Sequence, residues 1–511
     1  MEEWKYRFQK DFKKASPKDL SFDVSKLDET PDTKENRRRF RNDPFPRRPV
    51  SPGKVAAIAI SSFLAVNLAG IIALSIPIGM ALFRVKDNVN MYRRSYSLNE
   101  TAIAEANTFR PINQVEYPDL ASPVKKTVAA AERVAYESFA DRTYRALLET
   151  SSKDNLSYSP VTLYSVTNEM AAACSNPVIG EKLNDLLGLS AVNRESFYNK
   201  IMSANSYAKE SSSIQLKNGA FFSNKFAYSQ DYVSALERLY CEAYELDFDK
   251  DAGKIVDWAN KAVDSAGFID KGFLELDSYS VLYLLSTMYF KNAWENKYLS
   301  SNNVVEPFYL RGGSVVNVEY MRHTYLTDHY WDYGDYVAVK DFYHRGYASV
   351  TYLVPKRSDD DILTLTAGAN IFEEDETKVR RNEGAGSLFV SLKTPKFNLK
   401  AETNFRPCFE NLGLGDLFDP KIDSLHGAFE YEGTEDVTFF LQGVKQKNQV
   451  EFSEDGSIVK SLALAQGYGG AVSSRFGGNE LNVDLDQPFI YIIRDVNGTP
   501  IFVGHVDNPK G

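Results

Sequence analysis

Residues Glu451–Gly470 read EFSEDGSIVKSLALAQGYGG. The stretch begins like a strand, turns acidic, passes Gly456 and then alternates. On an extended chain successive side chains point to opposite faces. Ser457, Val459, Ser461, Ala463, Ala465 and Gly467 therefore share one face, and all but Val459 are among the smallest residues. Ile458, Lys460, Leu462, Leu464, Gln466 and Tyr468 share the other. A strand with one small, uncharged face suits a place where the surrounding core is already closed, because protein interiors are packed to crystal-like density. A charge on that face would cost several kcal/mol. Lys460 falls on the opposite face, where its ammonium reaches water.

The rest of the chain sets the frame. Its 511 residues carry a net charge of −10, which disfavours a nucleic-acid partner, since phosphate neutralisation needs a basic face. Cys174, Cys241 and Cys408 are odd in number and far apart, so free thiols are expected rather than a disulfide framework or zinc site. The sequence has no G-x-S-x-G, H-E-x-x-H or Walker loop. None of His323, His329, His344, His426 and His505 forms a close pair at helical metal-ligand spacing. No enzyme, metal or cofactor is expected from these residues.

Val55–Phe83 is free of charge over more than the roughly 20 residues a spanning helix needs. Arg37, Arg38, Arg39, Arg41, Arg47, Arg48 and Lys54 precede it; Arg84, Lys86, Arg93 and Arg94 follow. The heavier basic flank places the N-terminus in the cytoplasm and the remainder outside. The basic run before it is too far from the N-terminus for a cleaved signal peptide, so an uncleaved single-pass anchor is expected. The expected organisation is a proline-punctuated tail over 1–54, the anchor over 55–83, a polar stalk over 84–126 and a folded domain over 127–511.

That domain reads as α+β, with helices first and strands later. Helical spacing marks VAAAERVAYESFADRTYRALLE from Val128, VTLYSVTNEMAAACS from Val161 and QDYVSALERLYCEAYE from Gln230. Strand-like runs are YSVLYLLSTMYF, YASVTYLVP, GSLFVSLKTPKF, DVTFFLQGV, QPFIYIIRD and TPIFVGHVD.

Six stretches, in order, resemble the serpin family over about residues 130–511. They are NLSYSPVTL (Asn155–Leu163), the run from Asn218 to Phe248, IVDWANKAVDSAGFID with LLSTMYFKNAW (Trp258 and Trp294), Pro395-Lys396-Phe397, LGLGDLFDP, and QPFIYIIRDVNGTPIFVGHVDNP. The resemblance implies helices packed on three β-sheets, with an exposed reactive-centre loop. It makes Glu454, Asp455, Gly456 and Ser457 the hinge of that loop. Val459, Ser461, Ala463, Ala465 and Gly467 become the face that inserts into the central sheet after a protease cuts the loop. The family's spacing puts the scissile bond at Gly470–Ala471, with Tyr468 and Arg475 as alternatives. It makes Ser159, Thr162, Ser286 and Gln446 the region where the sheet opens; a Ser286–Gln446 pair there is able to hydrogen-bond.

The implied function is a membrane-tethered suicide inhibitor of a serine or cysteine protease, outward-facing and not itself an enzyme. The alternative is a non-inhibitory binding protein on the same fold. The loop departs from the family pattern at Val459-Lys460-Ser461-Leu462 and is long before Pro488, which bears on the rate of insertion rather than on the fold.

Overall fold

The computed structural model describes residues 109–511, apart from 119, 121, 152–154, 210–211, 264–267, 275–279, 358–359, 381–386, 431–436 and 459–480. The tail, the anchor Val55–Phe83 and the first part of the stalk lie outside the described residues. So does every residue from Val459 to Arg475 named above. No described helix is long and apolar enough to cross a membrane.

The helical periodicity of the domain's first segment becomes α1, Ala130–Thr150. The Glu132 carboxylate accepts from the Ala129 backbone N–H at 2.7 Å and satisfies a donor that a helix start leaves open. Tyr136, Phe139, Ala140 and Leu147 form its buried stripe. The second predicted helix is α2, Pro160–Ala173, with Pro160 in the first turn and Ser159 as its N-cap. The third stops early. Helix α3 spans only Gln230–Arg238; Tyr240 takes φ 53°, and Cys241–Leu246 is a strand. Its Cys241, Ala243 and Leu246 are buried at a strand's spacing, and parallel pairing with a central strand outweighs the helical reading. Helix α4, Phe248–Ala262, follows at once.

The strands used below are β1 (Arg110–Pro111), β2 (Leu156–Tyr158), β3 (Ser212–Ser223), β4 (Cys241–Leu246), β5 (Leu282–Asn292), β6 (Phe397–Asn404), β7 (Lys445–Ser453), β8 (Gly456–Ile458), β9 (Phe489–Asp495) and β10 (Pro500–Val506). The largest sheet has eight strands in the order β1-β4-β3-β5-β8-β7-β6, with Ser206–Lys209 paired on β3. A six-stranded sheet joins Tyr330–Asp332, Tyr336–Phe342, Ala348–Pro355, β9, β10 and β2. A four-stranded sheet joins Leu481–Asp484, Leu388–Pro395, Val315–Thr327 and Val304–Tyr309. Three sheets were expected; a two-stranded ribbon of Ala227–Tyr228 and Phe429–Glu430 is added among the described residues.

Two further expectations are corrected. The described part of DVTFFLQGV forms no strand. Its Phe439 is buried, stacks on Phe429 at 4.3 Å, and its carbonyl accepts from the backbone of Ser424 and Leu425. The apolar run serves aromatic packing instead of a ladder. The end of the expected stalk is also folded: β1 pairs with β4, so residues 109–126 belong to the domain's main sheet and its flank.

Cys174, Cys241 and Cys408 are free thiols, the last two buried. Cys241 lies beside the carboxyl of Glu169 in α2. Glu169 is fully buried, and neither of its oxygens has a well-formed hydrogen bond. Burial therefore pushes its pKa well above the usual carboxyl value of 4.5. A raised carboxyl pKa makes the folded state hold a proton that the unfolded chain releases. Stability is then lost as pH rises above the unfolded value, by about 1.4 kcal/mol per pH unit. Glu169→Gln removes that dependence, so its advantage over the parent chain should grow as pH rises above the ordinary carboxyl value of 4.5. Denaturant unfolding at several pH values reads this directly, and parallel curves would refute it.

Candidate functional site

The residues expected to form the hinge lie at the turn from β7 into β8 of the main sheet. Strand β7 ends at Ser453, turns through Glu454 and Asp455, and returns as β8. The pairing is antiparallel on both sides of β8: Ser457 stands between Phe452 of β7 and Asn292 of β5. Gly456 takes φ +136°, and a Cβ there would come within 2.0 Å of the Asn292 carbonyl oxygen. Only glycine fits that approach.

Ser457 is completely buried, and Tyr343 donates to its Oγ at 2.7 Å. Tyr343 stacks on Trp294, ring centroids 4.6 Å apart, and the Trp294 indole N–H donates to the Ser453 carbonyl at 2.8 Å. The turn is held by charge as well. Lys396 contacts Glu454 at 3.1 Å and Glu319 at 3.2 Å. The Asn303 amide donates to both Glu319 and Glu454. Burial pushes the Glu454 carboxyl up, but backbone, Asn303 and Lys396 hydrogen bonds outweigh it and hold it below its usual value. Asp455 is exposed at the tip.

Beyond Ile458 the central place in the sheet is empty among the described residues. Strands β5 and β7 do not pair with each other. A narrow cleft runs between Leu285–Met288 on one side and Lys445–Gln449 on the other. Thr162 and, after α4, Val263, Phe268, Ile269 and Phe273 also line it. Two strand edges facing a gap are a ready template for strand addition, since each carries backbone donors and acceptors.

The serpin (serine protease inhibitor) family matches residues 134–509. The chain belongs to the serpin family. Iripin-1 of Ixodes ricinus is 24% identical over 375 residues, spanning 71% of this chain and 91% of that protein. Leukocyte elastase inhibitor A of Mus musculus is 23% identical over 389 residues, spanning 73% of this chain and 97% of that protein. The thermophilic serpin Tengpin in its native state superposes with a TM-score of 0.65 at 18% identity, covering 78% of this chain and 100% of that one.

This serpin brings three of the four expected sheet-opening residues together. Gln446 accepts from the Ser159 backbone N–H at 2.7 Å, donates to the Ser159 carbonyl at 3.0 Å and bonds the Thr162 hydroxyl. Ser159 Oγ donates to the Ile501 carbonyl at 2.8 Å, tying the α2 start to β10. Asn448 extends the group, donating to Gln446 Oε1 at 2.7 Å and to the Ser157 carbonyl at 3.1 Å. Ser286 stands apart. It donates to Asn218 Oδ1 at 2.7 Å, within its own half of the sheet, and does not pair with Gln446. Asn218 in turn donates to the Tyr198 hydroxyl at 2.6 Å. Ser286 and Gln446 therefore bond within their own sides of the cleft, and this side-chain pair contributes no hydrogen bond across the gap.

Sequence reading missed Tyr343, Asn303, Glu319 and Asn218. They lie far from the hinge along the chain, in segments with ordinary polar and aromatic composition, so no local signal marks them. Gln446 and Ser286 were found only by position in the family pattern. The inserting face, Val459, Ser461, Ala463, Ala465 and Gly467, lies outside the described residues, as do the scissile candidates Gly470, Ala471, Tyr468 and Arg475.

Proposed function

We propose that this serpin inhibits a serine or cysteine protease by suicide: the protease cuts the loop after the hinge, and the loop enters the central sheet before the acyl-enzyme is released. The observation that carries this reading is the cleft between β5 and β7, with β8 already seated at its top. Continuing the register of Ser457 would set Ser461 between Met288 and Asn448, and Ala463 between Ser286 and Gln446. Small side chains at those places meet the demand of a closed core, and Lys460 would face away from it. The likeness to relatives such as leukocyte elastase inhibitor A supports inhibition as the activity. The target's nucleophile supplies the chemistry; the serpin supplies a substrate loop and the free energy of insertion.

We further propose that Val55–Phe83 anchors the chain to a membrane, N-terminus inside and serpin domain outside. The uncharged run and its basic flank support this. The arrangement would confine inhibition to proteases at that surface.

The test is incubation of the full chain with trypsin-like, chymotrypsin-like and elastase-like serine proteases and a papain-like cysteine protease. At least one should yield a denaturant-resistant complex heavier than the serpin alone. Cleavage by all of them without a trapped complex would eliminate inhibition and leave the non-inhibitory binding protein. Flotation with lipid vesicles, lost when residues 55–83 are removed, tests the anchor in the same preparation.

A further inference from the structure

Glu169 is a buried acid that meets no cation among the described residues. It has no solvent exposure, and neither carboxyl oxygen has a well-formed hydrogen bond. Three groups face it from the elements packed around it: the Cys241 thiol of β4, the Tyr232 hydroxyl of α3 and the Tyr198 hydroxyl of helix Ala191–Ala204. The Tyr232 hydroxyl has no hydrogen bond either. The Tyr198 hydroxyl is taken by Ser165 at 2.5 Å and by the Asn218 amide at 2.6 Å. The rest of the corner is apolar: Ala173, Phe222, Leu236 and Ala243 form one buried cluster with Tyr232 and Cys241.

Such a group is tolerated in a core only as the neutral acid. Burial accordingly holds the Glu169 pKa well above 4.5. An opening that lets water reach the carboxyl releases its proton, so opening becomes more favourable as pH rises. The cover over Glu169 is thin. Helix α3 has only nine residues, below the length at which a helix is stable alone. It passes into β4 through Tyr240 at φ 53°, a left-handed backbone that a side chain disfavours. Beyond β4 the sheet continues only as β1, two residues long, with Asn113 bonding the Cys241 carbonyl and the Ala243 N–H.

We propose that the corner of α3 and β4 is a proton-gated cover: loss of the Glu169 proton opens it while the rest of the domain stays folded, and the opening makes Cys241 a modifiable thiol. Closed, Cys241 is inert. It has no solvent exposure, and burial first and the neighbouring carboxyl second push its pKa up, away from the reactive thiolate. Open, it behaves as an ordinary thiol within reach of small alkylating or disulfide reagents. Cys408 is equally buried, but burial alone raises its pKa, with no acid acting on it. The two thiols should therefore answer differently to pH. The proposal does not depend on loop insertion.

The test is alkylation of the full chain by iodoacetamide as pH is raised from the ordinary carboxyl value of 4.5, with each cysteine quantified by peptide mass spectrometry. The thiolate sulfur displaces iodide from the reagent's carbon, so one S–C bond forms as one C–I bond breaks. Thiolate formation alone raises the rate about tenfold per pH unit below the pKa of an exposed thiol. Coupling to one proton on Glu169 adds up to about tenfold more per unit. Cys241 of the parent chain should therefore show the steeper rise, up to about a hundredfold per unit. In Glu169→Gln, and in Glu169→Met, which keeps a similar volume without the acid, Cys241 should rise only about tenfold. Cys408 of the parent chain should keep the shallow slope. Equal slopes at Cys241 in the parent and both variants, or no labelling of Cys241 at any pH, would overturn the proposal. So would Cys408 rising in step with Cys241, which would mean that Glu169 acts through global unfolding.

Discussion

A Ser457→Arg variant is expected to be cut by the target protease and to trap none of it. Ser457 has no solvent exposure, stands between Phe452 and Asn292, and shares its hydroxyl with Tyr343. An arginine there cannot keep its guanidinium in water while the hinge stays in register. Burying the charge unpaired costs several kcal/mol, and the wall around it offers the aromatic rings of Trp294 and Tyr343 rather than a carboxylate. The hinge would swing out, and the following residues would lose their starting register. Insertion competes with hydrolysis of the acyl-enzyme, so a barrier raised by about 3 kcal/mol slows insertion roughly a hundredfold and hands the race to water. The readout is the ratio of trapped complex to cleaved serpin at fixed protease. Trapping by the arginine variant at parental yield would remove the insertion model. A Ser457→Ala variant serves as control: it loses the Tyr343 bond but keeps the small inward face, and should trap nearly as well.

The second large effect is thermal. Cutting the loop after Gly467 and before Leu481 should raise the unfolding midpoint by tens of degrees. The reason is that, among the described residues, no strand continues β8 between β5 and β7. Strands β5 and β7 present two edges to a cleft, and an added strand would pair with both while placing its small face on the core. A contact worth 1 kcal/mol moves the midpoint of a domain of 150–250 residues by only about 2–4 °C, and less in a longer chain. A shift of tens of degrees therefore requires a whole strand to join the sheet. Limited digestion with a non-specific protease, followed by thermal scans of the cut and uncut chain at matched scan rates, makes the measurement. A midpoint that stays within a few degrees would mean the sheet does not take up the loop, and the serpin would then act by binding alone.

The helices and strands with strong periodicity were legible in the chain. Ala130–Thr150 and Pro160–Ala173 followed from apolar spacing, and Phe489–Asp495 and Pro500–Val506 from continuous apolar runs. Cys241–Leu246 was not, because its residues fit a helix face as well as a buried strand; the available edge of Ser212–Ser223 decided between them. Phe439 and its neighbours read as a strand, yet their place is set by a ring cluster with Phe429 and Phe226. Arg110–Pro111 carried no strand signal, and only the open edge of Cys241–Leu246 made it one.

For the site, the division is similar. The sequence by itself determined the family, the glycine at the turn after Ser453 and the two-residue period of small side chains from Ser457 to Gly467, because these are local facts. The tertiary structure alone decided what surrounds them. It brought Tyr343, Trp294, Lys396 and Asn303 to the turn at Glu454–Ser457, turned Ser286 toward Asn218 instead of Gln446, and left a cleft between Leu285–Met288 and Lys445–Gln449. Those choices depend on packing between segments 58 to 159 residues apart along the chain. Local preference cannot specify them, because a hydrogen bond or a buried ring is satisfied by whichever partner the closed core presents.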